Sequence, residues 1–471
     1  MKQKIFFLFF FIFLSTGWGY AQKEMNWWYF GRNTGLNFNQ KQTASGTPDM
    51  PIPVNGPIYT AEGCFVLSDS NGNFLMASDG STVYNGPSSS NVMKNGTGLK
   101  GHASSTQSGI VVPYPDNHNL YYIITVPCGY ANPMDGINYS IVDLSVTNEY
   151  GRGEVIVKNT NILAGPLKDE NLAVTAHDNG RDYWLIHRYL DKIYVWAITS
   201  TGVSSPITYP FTPAATGNTG GYTKFSSDGR RIVSTVYSTS RIISADFDPA
   251  TGIVSDIKIN TKVPAANNYS VEFSHSSEWV YIGIWYGNLY KIKYSDLRNN
   301  LVPTATSFNV NTLQIGPDKR IYGTKGDTRD LYVIMDPDNG GTDIRQFSNY
   351  LTNLSQYGLP TFISSFFVDV VTDPKLPACM NTNITFTLQI SGLESYNVTE
   401  IEWDFGDGTP ATKAPVTNDT KTHAYSQPGT YTLTLTPYKA DGSVVTTKIK
   451  KIQVPISRCV MPVNPNIHIY K

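Results

Sequence analysis

The sequence predicts an all-β protein in two parts, a β-propeller over residues 22–367 and a small β-sandwich over residues 383–456. Three observations lead there. A unit of strand, polar turn and strand recurs through most of the chain at the spacing of a propeller blade. No segment holds a sustained helical period, which removes an α/β architecture. The C-terminal part alternates apolar and polar residues over short runs bounded by Gly- and Pro-bearing turns.

The chain opens with a basic MKQK, an apolar core from Ile5 to Leu14, and a small-x-small site, Gly19-Tyr20-Ala21, before Gln22. Residues 1–21 therefore read as a signal peptide, and the protein as exported: secreted or on the cell surface, with the periplasm as the alternative. The apolar core is shorter than the roughly 20 residues that span a bilayer, so membrane insertion is not expected. No cysteine follows that core, so nothing supports lipid attachment there. A formal net charge of −1, with 15% charged residues, gives no electrostatic reason to expect nucleic acid as a partner.

Six copies of the repeat follow in order. They are FVLSDSNGNFLMAS (65–78), IVVPYPDNHNLYYIITV (110–126), AVTAHDNGRDYWLIH (173–187), GYTKFSSDGRRIVST (221–235), YSVEFSHSSEWVYIG (269–283) and TLQIGPDKRIYG (312–323). Several are followed by a further alternating segment, such as IISADFDPATGIV (242–254), so that each repeat supplies about four strands, as a blade does. A propeller must close, because an open blade leaves an unpaired edge. NWWYFGRNTGLNFN (26–39) and GLPTFISSFF (358–367) are strand-like and aromatic, and together they would make a seventh blade joining the two ends. A six-bladed ring with N-terminal decoration is the alternative.

Residues 368–382, rich in Pro and Asp, read as a linker. After them Ile384, Phe386, Leu388 and Ile390 alternate with polar residues as in a half-buried strand. Ile401, Trp403 and Phe405 form a second apolar face, and Gly406-Asp407-Gly408 supplies the positive φ angles of a tight reversal. Gln427-Pro428-Gly429 and Asp441-Gly442 mark two more turns around the alternating Tyr431, Leu433 and Leu435. Residues 457–471 remain as a short tail.

IEWDFGDGTP followed by THAYSQPGTYTLTLTPYKADG resembles the PKD domain, an immunoglobulin-like sandwich marked by a W-D-F-G-D-G strand and turn and a later H-x-Y-x-x-P-G-x-Y-x-L segment. The resemblance implies that Trp403, Phe405, Gly406, Gly408, His423, Tyr425, Gly429 and Tyr431 are signature positions of the fold. It makes the aspartates chiefly turn formers. It also allows calcium at Asp404 and Asp407, although two carboxylates fall well short of the six to eight oxygens that Ca²⁺ takes. The ordered series from NWWYFGRNTGLNFN through MKNGTGLKGHASSTQSGIVVPYP to the FSSDG repeat resembles the propeller region of large secreted proteins of gliding bacteria. Members of that family often end in a type IX secretion sorting domain. The stretch SRCVMPVNPNIHIYK departs from that pattern, which leaves the mode of surface attachment open.

The chemistry-bearing residues form no recognisable catalytic set. There is no G-x-S-x-G elbow, H-E-x-x-H or Gly-rich phosphate loop. Four cysteines, Cys64, Cys128, Cys379 and Cys459, fit one disulfide in each half, and spacing alone leaves all three full pairings open. Of the histidines, His177 and His187 flank one strand pair and are read as structural. The acid pairs Asp246/Asp248 and Asp336/Asp338 sit beside Pro or Gly and are explained by turns, so no catalytic residue is named.

Aromatic residues are the better lead. Trp27, Trp28, Trp184, Trp196, Trp279 and Trp285, with many tyrosines, provide rings that fill the space between blades or, where exposed, stack on sugars or anchor a protein. WYGNLY (285–290) and GHASSTQSG (101–109) are nominated as face loops, with Trp285, Tyr286 and His102 as candidate ligand contacts. The sequence therefore points to an exported, non-catalytic binding or adhesion protein for a polysaccharide or a surface protein, requiring no cofactor. A secreted polysaccharide hydrolase or lyase, with acids gathered at the propeller channel, is the alternative.

Overall fold

A computed structural model describes residues 23–69, 71–130, 135–167, 169–179, 181–212, 220–237, 239–264, 266–367, 370–373, 378–388, 398–416, 420–445 and 450–458. The expected signal peptide and Cys459 lie outside them. The described residues are nearly all β, with one five-residue helix, Tyr294–Arg298, and two 3-10 turns. No helix among them is long and apolar enough to cross a membrane.

Each of the six sequence repeats is the first hairpin of an antiparallel meander. Cys64–Ser68 pairs with Phe74–Ser78, Gly109–Pro113 with Leu120–Thr125, and Ala173–Ala176 with Tyr183–Tyr189. Thr223–Phe225 pairs with Arg231–Thr235, Asn268–Phe273 with Trp279–Ile284, and Thr312–Ile315 with Ile321–Thr324. Two further strands complete most meanders. The first two meanders touch through one parallel pairing, Glu154 with Lys94, and with Pro360–Thr361 added they count as a nine-stranded sheet.

The first strands are almost wholly buried, and each lies beside the first strand of the next meander, as blades do around an axis. The apolar clusters fill the gaps between neighbouring sheets. Phe65, Leu67 and Met76 meet Val111, Ile123 and Val142 across one gap, and Val233 and Ile242 meet Val271 and Ile282 across another. Trp28 and Trp196 are fully buried and Trp184 nearly so, which makes all three packing residues. Burying such a ring is worth about 1.5–3 kcal/mol.

The ends of the ring meet, though by a different route from the one expected. Trp27–Phe30 and Arg32–Ala44 form a three-stranded sheet with Thr47–Tyr59, and Trp28 reaches Tyr322 of the last meander at 5.6 Å while Tyr29 reaches Phe74 of the first at 5.3 Å. Pro360–Thr361 pairs in parallel with Cys64–Phe65, so residues 26–39 and 358–367 do not form one ladder. The third N-terminal strand is what the sequence hides. It carries Pro48, Pro51, Pro53 and Pro57, and it tolerates them because it is an edge strand.

The C-terminal unit is a two-sheet sandwich. Val370–Asp373, Ile384–Leu388 and Thr420–His423 make one sheet; Ala378–Cys379, Lys450–Ser457, Gly429–Lys439, Val398–Asp404 and Thr412–Pro415 make the other. Residues 370–373 and 378–379, expected as linker, are therefore strands of the sandwich, too short to read as strands by themselves and set by their pairing with Ile384–Leu388 and Lys450–Ser457. Trp403, Phe386, Tyr425 and Leu433 form its core.

One cysteine expectation is corrected. Cys64 and Cys128 are buried thiols and are not joined: Cys64 packs with Trp28 and Ala77, whereas the Cys128 thiol hydrogen-bonds the Glu170 carboxylate. Cys379 is disulfide-bonded.

Candidate ligand-binding face

The segments that lead into the first strands are tied into a belt. Glu62 N–H donates to Ala103 O at 2.9 Å, Gly63 N–H to Ser105 O at 2.8 Å, and Gln107 N–H to Glu170 O at 2.9 Å. The Gln107 side-chain oxygen accepts from Leu172 and Thr223 N–H, Tyr222 N–H donates to Tyr269 O, and Tyr357 N–H donates to Ala61 O. With Ser270 Oγ donating to Asn311 O at 2.6 Å, one end of every first strand is thereby fixed to its neighbours. Loops attached to the belt are presented from a rigid base.

GHASSTQSG belongs to this belt. Ser105, Thr106, Gln107 and Ser108 are buried and structural, so this nominated segment frames the face rather than offering contacts. His102 is held in its own turn, where Nδ1 accepts from Ser104 N–H at 3.0 Å.

WYGNLY lies at the same end. Trp285 packs on Tyr357 at 4.3 Å, meets Tyr269 at 4.7 Å and Tyr286 at 5.4 Å, and approaches Tyr237 at 6.2 Å. Tyr269 carries the array to the belt, because its ring also meets Tyr222, at 5.7 Å, and its phenol meets the Thr106 hydroxyl. Tyr286 is 65% exposed at a φ of 55°, a left-handed conformation that bulky residues avoid. Its hydroxyl shares a hydrogen bond of 2.9 Å with Tyr357, whose own hydroxyl donates to Asp327 at 3.1 Å. Hydrogen bonds from Gln356 and Tyr357 outweigh the slight burial of Asp327 and hold its carboxyl below the usual range.

Two glutamates lie beside the rings. Glu170 is 3% exposed and accepts from Thr106 N–H and Oγ1 through one oxygen and from Gly129 N–H through the other. Burial raises its carboxyl despite these bonds. Glu62 keeps some contact with solvent although protein crowds it, and among the described residues no group hydrogen-bonds its carboxyl. Burial, with the nearby charge of Glu170, pushes it up to about 9. Tyr222, Tyr237 and Tyr269 all lie within its electrostatic reach.

The remaining candidates have local explanations. Deeper among the first strands, a narrow cavity holds Glu272, but Lys224 pairs with it at 2.9 Å. Asp246 pairs with Arg298, Asp248 caps the turn at Ala250 and Thr251, Asp336 accepts from Thr342 and Asp343, and Asp338 accepts from Ser276. His177 stacks on Trp184, while His187 Nδ1 lies 2.6 Å from Asn171 O; they have separate partners.

In the sandwich, Asp404 accepts from Gly406 N–H, and Asp407 accepts from Thr409 N–H and Oγ1 and lies 2.8 Å from His423 Nε2. Gly406 and Gly408 have φ of 74° and 87°, and a Cβ on Gly406 would lie 2.3 Å from Thr432 O. The W-D-F-G-D-G segment is thus a turn whose aspartates bind its own backbone. No group of three or more His, Cys, Asp or Glu among the described residues could hold a metal ion.

Residues 370–454 match the PKD domain. The match begins at the strand Val370–Asp373, which agrees with the place of residues 370–373 and 378–379 in the sandwich. The chain aligns with an extracellular domain assigned to a one component system of B. thetaiotaomicron, at 13% identity and a TM-score of 0.38 over 92% of this chain. It spans 56% of that relative. A Bacteroides fragilis protein assigned as a 6-phosphogluconolactonase aligns at 11% identity and a TM-score of 0.46, over 71% of this chain and 97% of its own. Virginiamycin B lyase from Staphylococcus aureus aligns at 14% identity and a TM-score of 0.27, over 60% of this chain and 84% of its own. At these values none bears on function. No sequence among the curated proteins matches the chain.

Sequence reasoning named Trp285 and Tyr286 but missed Glu62, Glu170, Tyr237, Tyr269, Asp327 and Tyr357. Most lie in connections outside the repeat copies. Glu62, Glu170 and Tyr222 each stand one to three residues before a first strand, and aligning the leads into the repeats would have brought them together.

Proposed function

We propose that this is an exported saccharide-binding protein: a seven-bladed propeller, counting the N-terminal sheet and Pro360–Thr361 as the closing blade, with its PKD domain as spacer or interaction module. The observation that carries the reading is the ring array of Tyr237, Tyr269, Trp285, Tyr286 and Tyr357 beside an unengaged carboxyl, Glu62. Aromatic faces stack on sugar rings, and a few polar groups set the orientation. The signal-peptide reading of residues 1–21 and the PKD match support a location at or beyond the cell surface.

Hydrolysis is the second reading, favoured by the nearness of two glutamates. A glycosidase needs two working carboxyls about 5 to 10 Å apart. Glu170 spends both oxygens on the belt and on Gly129, and Glu272 is neutralised by Lys224, so of these three glutamates only Glu62 is left to act. Binding without cleavage fits better. The test applies residues 22–471 to a broad glycan array, with calcium and with a chelator, and assays bound polysaccharides for shortening. Binding in both buffers with intact chains is expected; shortened chains would transfer the assignment to the hydrolase, and no binding would end the saccharide reading.

A further inference from the structure

We infer that Glu62 is the group that reads the ligand at this face, and that it takes the hydroxyls of an uncharged saccharide in preference to an acidic or amino sugar. This deepens the saccharide reading above and rests on it.

The geometry singles out one group. Thr106, Gln107, Glu170, Asp327 and Tyr357 all spend their polar atoms on protein partners. The Glu62 carboxyl has no such partner among the described residues, and a polar group left this way beside the rings is available to a ligand. Its backbone is immobilised on both sides: Glu62 N–H by Ala103, Ala61 O by Tyr357, and Thr60 by Gly31 O and Ala103 O. The carboxyl is therefore offered from a fixed position, which lowers the cost of ordering it on binding.

Charge then selects the ligand. The Glu170 carboxylate lies within electrostatic reach of Glu62 and repels a second anion, which works against uronates. Crowding keeps the Glu62 proton in place, up to about pH 9, so the carboxyl both donates and accepts. Neighbouring sugar hydroxyls also donate and accept, and a neutral ligand leaves that proton undisturbed. An ammonium sugar would meet an uncharged acid here, and the nearby Glu170 is already engaged by four hydrogen-bond donors, Thr106 N–H and Oγ1, Gly129 N–H and the Cys128 thiol.

The test compares wild type, Glu62→Leu and Glu62→Gln for affinity towards neutral gluco-, manno- and xylo-oligosaccharides, with galacturonate and glucosamine oligomers as charged comparators. Thermal melting of each protein confirms folding. Wild type should prefer neutral oligomers; Glu62→Leu should weaken their binding about tenfold or more, and Glu62→Gln, which keeps a donor and an acceptor, about two- to threefold. Tighter binding of a charged oligomer, equal losses in the two variants, or undiminished binding by Glu62→Leu would overturn the inference while the saccharide reading stands. If the leucine variant does not fold, a loss above tenfold in Glu62→Gln overturns it and a smaller one supports it. Wild type that binds no oligosaccharide overturns both.

Discussion

Trp285 and Tyr357 pack with ring centroids 4.3 Å apart and planes tilted by 33°, although they stand 72 positions apart in the sequence, at 285 and 357. Trp285 comes from a turn of one meander, and Tyr357 from the segment leading to the closing strand Pro360–Thr361. The pair thus joins the nominated loop to the place where the ring shuts. Replacing Trp285 by Ala removes the ring on which Tyr237, Tyr269, Tyr286 and Tyr357 all converge. Saccharide affinity should fall at least about tenfold, and the stability of the propeller by about 1–3 kcal/mol. Calorimetric titration and thermal melting measure the two effects separately.

Tyr286 offers the opposite pattern. Its φ of 55° costs about 1–2 kcal/mol for a bulky side chain, while asparagine adopts this conformation readily. Its ring is 65% exposed and so recovers little of that cost by burial. Tyr286→Asn should therefore raise stability by about 0.5–1 kcal/mol while weakening ligand binding, the signature of a position kept for function. Equal or lower stability in denaturant titration would count against a functional role for the strained tyrosine.

Glu62 gives a pH dependence whose sign is fixed by its shift. Burial and Glu170 raise its folded value from 4.5 to about 9, so between those values the folded state holds a proton that the unfolded state has released. Stability must then fall as pH rises across that window, and it levels off above it. Glu62→Gln removes this slope. The variant should match wild type near pH 4 and exceed it by about 1–3 kcal/mol at pH 7, with the difference growing towards pH 9. Urea denaturation at several pH values would show the two curves diverging; parallel curves would mean that the carboxyl ionises normally in the folded protein.

How far the sequence reaches depends on what each residue answers to. The six hairpins are legible because an apolar alternation and a polar turn are both local, and each copy falls on the first hairpin of a meander. Thr47–Tyr59 is not legible, since its four prolines argue against a strand until its edge position is known. Residues 370–373 and 378–379 look like linker because each run is too short to show a strand pattern by itself, and Ala378–Cys379 pairs with Lys450–Ser457, far along the chain. Within the face, Trp285 and Tyr286 stand out by residue type. Glu62 and Glu170 do not, because only the folded ring brings residues 62 and 170 together. The turn reading of W-D-F-G-D-G holds because Asp404 and Asp407 bind groups within a few residues of themselves.

His423 and Asp407 carry the last prediction. The imidazole lies flat on Phe405 at 4.1 Å with planes 6° apart, and its Nε2 is 2.8 Å from Asp407. Burial would raise the Asp407 carboxyl, but hydrogen bonds from Thr409 and His423 outweigh it and hold the carboxyl below its usual range. A carboxyl lowered in the folded state contributes stability above its unfolded value, and that contribution disappears as pH falls through the folded one. The PKD domain should therefore lose stability below about pH 4. Asp407→Ala should weaken it by about 1–2 kcal/mol at pH 7 and flatten this acid loss, because the turn and the imidazole both lose their acceptor. A chelator should leave the melting of the full chain unchanged, since the Asp407 oxygens already accept from Thr409 and His423. A chelator-induced drop in melting temperature that Asp407→Ala abolishes would instead place a cation at this turn.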